Sequence, residues 1–115
     1  MKKINIVKNK YDFNRIIRNN KPYKYKDYII YIERETNNTY KFGFSVGKKI
    51  GNAVTRNKVK RQLKSIVDKK DYQNDFNCII IVGNGILMRS YEEMENNLFN
   101  AFKQLNIFKE EINEE

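Results

Sequence analysis

The residues best suited to chemistry in this sequence are the cationic side chains between positions 48 and 64. Arg56, Lys60 and Lys64 recur every four residues, so on a helix they would lie along one face about 6 Å apart. That spacing is similar to the distance between neighbouring phosphates of a nucleic-acid strand. Lys48 and Lys49 come just before this helix, whose first free N–H groups can also bind a phosphate. Because no acidic residue lies between positions 56 and 64, the cations lack partners within the helix, and the segment predicts a polyanion-binding surface.

The usual catalytic and metal-binding side chains are scarce. The chain has no His and a single cysteine, Cys78, which excludes Ser–His–Asp and Cys–His centres and the common zinc and haem sites. Asp68 and Asp71 are close in sequence, but we expect them to end the basic helix in solvent. The sequence therefore predicts no catalytic residue and no metal site in the protein.

Cysteine content and hydropathy favour a cytoplasmic protein. A single cysteine cannot form an intrachain disulfide, which fits a reducing compartment. No apolar run approaches the roughly 18 residues of a membrane span. The basic start of the chain is not followed by the apolar segment of a secretion signal. We therefore expect no association with a membrane.

The composition describes a folded, strongly basic chain. Its 115 residues include 23 Lys and Arg against 14 Asp and Glu, a formal net charge of +9. The charge is concentrated in residues 1–30 (+7) and 48–70 (+8), whereas residues 91–115 sum to −5. Hydrophobic residues make up 40% and aromatics 13%, too much apolar surface for a disordered basic tail, so we expect one domain over residues 1–115. Nucleic acid is the favoured partner, and a generally basic surface or a basic membrane-surface helix is the alternative.

Hydrophobic periodicity predicts three helices and three strands. The helices cover 9–19, 53–68 and a segment that begins after Ser90, and the strands cover 23–33, 40–46 and 78–82. Asn9 and Ser90 are the expected amino-terminal caps. The run 78–82 is apolar throughout, which is typical of a strand buried on both faces. The order α-β-β-α-β-α indicates an α+β sandwich with a small sheet of three or four strands.

The connections also predict how the strands pair. The polar turn at 36–39 joins the first two strands, so we expect them to form a hairpin. Alternation in the first strand places Tyr23, Tyr25, Ile29 and Tyr31 on one face of the sheet.

The second strand, the basic helix and the third strand form a β-α-β unit. If the two strands are parallel, general rules make the crossover right-handed. The acidic tail after Ile107 is expected to fray.

Three blocks of the basic segment match the pattern of a known family. They are Val46-Gly47-Lys48-Lys49, Gly51-Asn52-Ala53-Val54 and Arg56-Asn57-Lys58-Val59-Lys60-Arg61. The helix start at Asp12-Phe13, the Tyr-bearing first strand, the apolar third strand and the last helix follow in the family's order. On these residues the chain strongly resembles the protein subunit of bacterial ribonuclease P, over essentially its whole length. The composite is far more specific than a basic helix alone.

Several positions depart from the family pattern. Gly47 stands where the family has Ser, Lys64-Ser65 where it has Arg-Glu, Ile6-Val7 where it has Arg-Leu, Asn77 where it has Asp, and Gly83 where it often has Arg. None of these changes touches Arg56, Asn57, Lys60 or Arg61. The departures therefore bear on details of the site and not on the resemblance itself.

The resemblance implies a fold and a function. The family's sandwich, which a domain of a small-subunit ribosomal protein shares, contains a left-handed β-α-β crossover, and this expectation replaces the right-handed one. Its members bind the catalytic RNA subunit and the 5′ leader of precursor tRNA and promote removal of that leader. The catalytic centre is implied to lie in the RNA with its Mg²⁺ ions. The implied partners are ribonuclease P RNA and precursor tRNA, with no obligate protein partner.

By motif position the resemblance also assigns site residues. The RNA-binding residues are Lys48, Lys49, Asn52, Arg56, Asn57, Lys58, Lys60, Arg61 and Lys64. The leader cleft takes Phe13, Ile17 and Tyr31, although helical and strand spacing equally allows these to be ordinary core residues. Tyr31 is the favoured cleft residue, because its hydroxyl is costly to bury without a partner.

Two other classes of nucleic-acid-binding protein compete with this interpretation. A non-enzymatic RNA-binding module, such as a ribosomal protein of similar fold, would have the same composition and differ only in the signature residues. A DNA-binding regulator could use 53–68 as a recognition helix. The regulator is disfavoured because no second helix is predicted a short turn before position 53.

Overall fold

The computed structural model describes residues 1–110, which form three α-helices and a four-stranded mixed sheet. The helices are α1 (Lys10–Asn19), α2 (Ala53–Val67) and α3 (Tyr91–Leu105), and the strands are β1 (Tyr23–Tyr25), β2 (Tyr28–Arg34), β3 (Tyr40–Ser45) and β4 (Phe76–Val82). Short 3-10 helices lie at Lys3–Asn5, Lys48–Ile50 and Asn84–Met88. The predicted α+β class is confirmed. Within the described part of the chain, no helix is both long and apolar enough to cross a membrane.

The three predicted helices are confirmed, and two of them begin at the expected caps. The side chain of Asn9 accepts a hydrogen bond from the N–H of Tyr11 at 2.8 Å. Ser90 and Glu93 form a reciprocal capping box at the start of α3. These short polar side chains satisfy N–H groups that have no partner inside the helix, which is why sequence located the helix starts well.

The predicted first strand is two strands joined by a tight turn. β1 and β2 pair antiparallel, and Lys26 in the turn has a φ of 53°. Because the turn reverses the chain, Tyr23 and Tyr25 lie on the face opposite to Ile29 and Tyr31, so the predicted grouping of these four residues is wrong. The Lys-Asp turn lacks the Asn-Gly or Asp-Gly signal of a two-residue hairpin.

The hairpin predicted between segments 23–33 and 40–46, which correspond to β1–β2 and β3, is also wrong. The strand order is β1-β2-β4-β3, with β4 antiparallel to β2 and parallel to β3. β4 lies between them because its apolar run can be buried on both faces, and only Ile81 in it is half-exposed. The loop that connects β2 to β3 packs beside the residue that precedes β4. The carboxylate of Asp75 there accepts hydrogen bonds from the N–H groups of Asn37 and Asn38 at 3.0 and 2.8 Å.

β3, α2 and β4 form the expected β-α-β unit with parallel strands. The β-α-β unit is therefore confirmed, and the structure shows that its two strands are parallel neighbours. The left-handed crossover stays a prediction from the family resemblance.

The helices cover the two faces of the sheet unequally. α2 and α3 cover one face, and the main core there contains Tyr28, Ile30, Phe42, Phe76, Cys78, Ile80, Leu63, Ile66, Leu98 and Phe102. α1 covers the other face, where the buried cluster consists of Val7, Ile16 and Ile79. Cys78 is completely buried, and this burial raises the pKa of its thiol.

The chain after α3 is held against the loop that precedes β4. Phe108 forms a β-bridge with Tyr72, and the N–H of Lys109 donates to the carbonyl oxygen of Asp71 at 3.0 Å. The expected fraying after Ile107 is therefore wrong for these two residues. The end of the acidic tail, residues 111–115, lies outside the described residues.

Candidate nucleic-acid interface

A capped amino terminus fixes the start of α2. The side-chain oxygen of Asn52 accepts a hydrogen bond from the N–H of Thr55 at 3.0 Å, and its main-chain carbonyl accepts one from the N–H of Arg56 at 2.9 Å. Asn52, a predicted RNA-binding residue, thus uses both oxygens to form the helix. Its side-chain NH₂ group makes no bond within residues 1–110 and can donate to a ligand.

α2 has an apolar face and a cationic face, as its periodicity predicted. Val59, Leu63, Ile66 and Val67 are buried against the main core. The remaining predicted binding residues divide by exposure: Asn57, Lys58 and Arg61 are exposed, as are Lys48 and Lys49 before the helix, whereas Arg56, Lys60 and Lys64 are half-buried. Long cationic side chains can bury their aliphatic stems while the charged end stays in water.

The cations of this surface lack ionic partners within residues 1–110. The ion pairs found there use the terminal amine of Met1 and the side chains of Arg15, Lys69 and Arg89, none of which belongs to the predicted RNA-binding set. The Nε of Arg56 is buried and forms no hydrogen bond with the described residues. A buried charged donor is costly unless a partner satisfies it, so this surface is chemically suited to an external anion.

Phe13, Ile17 and Tyr31, the predicted cleft residues, come together on the opposite face of the sheet. All three are half-buried and pack around the buried residues Ile16 and Ile79. The hydroxyl of Tyr31 forms no hydrogen bond with residues 1–110, and its side chain packs against the apolar cluster of Val7, Ile16 and Ile79. Two aromatic side chains that are only half covered can stack on the bases of a single strand.

Gly43 on β3 makes room for Phe13. A Cβ atom at this position would lie 2.6 Å from Cε2 of Phe13 and 2.7 Å from Cδ1 of Ile79. Because real Cβ atoms do not approach other atoms this closely, any side chain at position 43 would displace α1 or Ile79. Sequence periodicity missed this contact, since Gly43 and Phe13 are distant in sequence and a glycine in a strand has many possible causes.

A polar network links α1 to β2 on the same face of the sheet. Arg15 donates to Glu33 twice, from Nε to Oε2 at 3.2 Å and from Nη2 to Oε1 at 2.8 Å. Asn77 on β4 donates from Nδ2 to Oε1 of Glu33 at 2.9 Å and to Oε2 of Glu35 at 2.8 Å. These four residues are called the Arg15 network below. The sequence does not reveal this network, because Arg15, Glu33 and Asn77 belong to three separate elements that the strand register brings together.

The Arg15 network sets the charge state of Glu33. The hydrogen bonds from Arg15 keep the pKa of this carboxyl below its ordinary value of 4.5, and the amide of Asn77 lowers it further. The family pattern has Asp in place of Asn77. An aspartate here would add a third carboxylate beside Glu33 and Glu35, whereas the amide donates to both of them.

Lys48 and Lys49 lie at the other end of the sheet from the Arg15 network. They follow the carboxyl end of β3, and their short helix contacts the 3-10 helix that follows the parallel strand β4. Asn77, in contrast, lies at the beginning of β4. Tyr31 is opposite Ile79 in the register, so it lies between the two ends.

Comparisons with known proteins agree with this fold and with the family resemblance of the basic segment. The family model described as Ribonuclease P matches residues 1–106. The ribonuclease P protein component of Streptococcus pneumoniae serotype 4 is 34% identical over 112 residues, which cover 96% of this chain and 91% of that protein. The chain therefore belongs to the ribonuclease P protein family.

Solved structures support the same assignment. The RNase P protein of Staphylococcus aureus superposes with a TM-score of 0.82 at 26% identity, covering 91% of this chain and 98% of that one. The RNase P protein of Thermotoga maritima superposes with a TM-score of 0.73 over 81% of this chain and 90% of that one. At 20% identity, this second likeness concerns the fold alone.

Proposed function

We propose that this member of the ribonuclease P protein family is the protein subunit of a ribonucleoprotein that removes the 5′ leader of precursor tRNA. The observation that carries the proposal is a basic helix without internal ionic partners on one side of the chain and a half-covered aromatic surface on the other. The first suits an RNA backbone, and the second suits an unpaired strand. The cytoplasm is its proposed location.

The basic surface is proposed to bind ribonuclease P RNA. Lys48 and Lys49 extend the cationic line of Arg56, Lys60 and Lys64 beyond the amino end of α2. Phosphates of the RNA would supply the acceptors that these side chains lack within residues 1–110. Of the remaining predicted residues, Asn57 and Arg61 adjoin the same line, Asn52 caps the helix, and Lys58 lies about 160° around the helix from Arg56 and Lys60. The amide of Asn57 can reach a 2′-hydroxyl or a base edge.

The cleft beneath α1 is proposed to bind the leader. Phe13 and Ile17 would form one wall of the cleft, and Tyr31 the other. An unpaired strand that follows the α1 face of the sheet could meet these side chains. Each stacked base would contribute roughly 1–3 kcal/mol, and mature tRNA, which lacks the leader, would not gain this energy.

Catalysis is proposed to belong to the RNA subunit and its Mg²⁺ ions, which would polarise the scissile phosphate and activate water. Mg²⁺ prefers oxygen ligands, above all carboxylates and phosphates. The segment from Arg56 to Lys64 offers cations and amides instead, so these side chains do not fit the metal. In this proposal the protein binds and orients RNA and needs no obligate protein partner.

The direct test is reconstitution with a ribonuclease P RNA. Cleavage of precursor tRNA is measured with and without the protein at low Mg²⁺, where the RNA alone is weakest. The protein should raise the cleavage rate and should prefer the precursor over mature tRNA. A protein that binds RNA but leaves the cleavage rate unchanged would instead be a non-enzymatic RNA-binding module.

The basic helix has its own test in salt dependence. Replacing Arg56, Lys60, Arg61 and Lys64 with Ala should weaken binding to the RNA subunit and flatten its dependence on salt, by roughly 0.7–0.9 in the log–log slope per lost phosphate contact. Asn57→Ala should weaken binding with little change in slope, because it carries no charge. A folded quadruple variant with an unchanged slope would remove α2 from the interface.

A further inference from the structure

The contact between α1 and the sheet is small and mostly apolar. Ile16 is the one residue of α1 that is buried, and it packs with Val7 and Ile79. Apolar contact is non-directional, so it resists separation of α1 from the sheet more than it resists sliding. The close approach of Phe13 to Gly43 limits this sliding at one point, and a directional interaction elsewhere on α1 would fix the orientation of the helix over the sheet.

The Arg15 network supplies a directional link at this place. The guanidinium of Arg15 spans both oxygens of the Glu33 carboxylate, an arrangement that fixes distance and angle together. Both side chains are largely covered, with 27% and 16% of their side-chain surface exposed. Water therefore competes less with this pair than with a pair on an open surface.

The carboxylate of Glu33 is itself held from the other side. Asn77 is buried, with 4% of its surface exposed, and its Nδ2 bonds both Glu33 and Glu35. Flipping the amide would turn its Oδ1, which is buried and unpaired within residues 1–110, toward the two carboxylates and would lose both hydrogen bonds. Glu33 is thus a fixed acceptor for Arg15.

The two ends of this link adjoin the two walls of the proposed cleft. Arg15 is two residues from both Phe13 and Ile17 on α1 and lies about 160° around the helix from each, so it acts on them through the position of the helix. Glu33 follows Tyr31 by two residues on the same face of β2, a separation of about 7 Å. A change at the Arg15–Glu33 pair would therefore move one wall relative to the other.

We infer that the Arg15–Glu33 pair, fixed by Asn77, positions Phe13 and Ile17 relative to Tyr31 and so determines the affinity for the leader of precursor tRNA. The inference rests on the proposed function of the cleft and adds residues that set its width. Arg15 and Glu33 are positioning residues, and they act on the leader through the cleft side chains.

The test uses the holoenzyme reconstituted with a ribonuclease P RNA and the ratio of its affinities for precursor and mature tRNA. Arg15→Met and Glu33→Gln should each lower this ratio about 3- to 10-fold, and the double variant should lower it no further than the more severe single change, since both remove one link. Arg15→Lys, which keeps the charge, should restore part of the ratio.

A matched control comes from the second partner of Arg15. Asp12 pairs with Arg15 within α1, so Asp12→Asn removes a contact of the same guanidinium without cutting the link to the sheet. Its ratio should equal that of the wild type. The double variant leaves no unpaired carboxylate at position 33, and the carboxylate of Asp12, with 41% of its side-chain surface exposed, keeps its contact with water, so this variant can be studied if either single variant unfolds.

Four results would overturn the inference. An equal loss of affinity for both RNAs would mean that the pair supports the fold and not the cleft, and additive losses in the double variant would mean that the residues act separately. If folded Arg15→Met and Glu33→Gln variants kept the wild-type ratio while Tyr31→Ala lowered it, the pair would have no role in leader binding, although the cleft would still bind the leader. A wild-type holoenzyme that does not distinguish the two RNAs would reject the cleft itself, and with it the inference.

Discussion

Tyrosines lie on both faces of the sheet, and the two faces treat them differently. On the face covered by α2 and α3, Tyr28 and Tyr72 are buried, and their hydroxyls donate to the carbonyl oxygens of Met94 and Val67 at 3.0 and 2.8 Å. This burial raises the pKa of both hydroxyls. On the face covered by α1, Tyr31 is half-buried, and its hydroxyl has no partner within residues 1–110.

This difference distinguishes a fully buried core, whose polar groups are hydrogen-bonded, from a partly exposed surface to which a ligand can bind. In the main core the ring of Phe42 meets those of Tyr72, Phe76 and Phe102 at centroid distances of 4.9, 5.6 and 5.7 Å. On the other face, the apolar side chains pack against α1 alone, and several of them remain partly exposed to solvent. We therefore expect changes in the main core to act on stability and changes under α1 to act on RNA selectivity.

The largest expected effect is in the main core. Phe42 is completely buried, so Phe42→Ala should lower the free energy of unfolding by about 3–5 kcal/mol. Tyr31→Ala should cost about 1 kcal/mol, because half of the side chain is already in contact with water, yet it should weaken precursor binding selectively. Urea unfolding and the two tRNA affinities measure both effects. Equal losses of stability would contradict the comparison.

An intermediate effect is expected where β3 meets α1. Gly43→Ala would place Cβ within 2.7 Å of Phe13 and Ile79, and such overpacking costs about 1–3 kcal/mol. The displaced Phe13 should also reduce the preference for precursor tRNA. Gly47→Ala is the control, because nothing lies within 4 Å of a Cβ there and the backbone is extended. If the two variants were equally stable, the close approach of Phe13 to β3 would be wrong.

The smallest expected effect is the pH dependence of the Arg15 network. Arg15 lowers the pKa of Glu33 below its ordinary 4.5 in the folded chain, so the folded state keeps this carboxylate charged at pH values where the unfolded state binds a proton. Its contribution is complete above that value and is lost as the pH falls through the lower folded-state pKa.

This contribution can be isolated by comparing the wild type with Glu33→Gln. The wild type should be more stable by about 1 kcal/mol at neutral pH, and the difference should shrink as the pH falls below 4.5. Thermal unfolding at several pH values measures it. A difference that stays constant down to pH values well below 4.5 would mean that Glu33 is not paired with Arg15 in solution.

The sequence by itself determined the helices, the buried strand and the family resemblance of the basic segment. The periodicity of Val59, Leu63 and Ile66 sets one face of α2 against the core, whatever that core contains. The caps at Asn9 and Ser90 act on N–H groups within the next three residues. The apolar run in β4 predicts that both faces of this strand are buried. Each of these is a local property, so neighbouring residues were enough to predict it.

Only the tertiary structure decided which strands are neighbours and which side chains meet. The turn between β2 and β3 looked like a hairpin, but β4 enters between them because a strand buried on both faces is most stable in the middle of the sheet. That order aligns Glu33 with Asn77 and leaves Gly43 under Phe13. Alternation along one strand fixes a residue's face but not its partner. The partner depends on competition among distant segments for burial and hydrogen bonds, which no local pattern records.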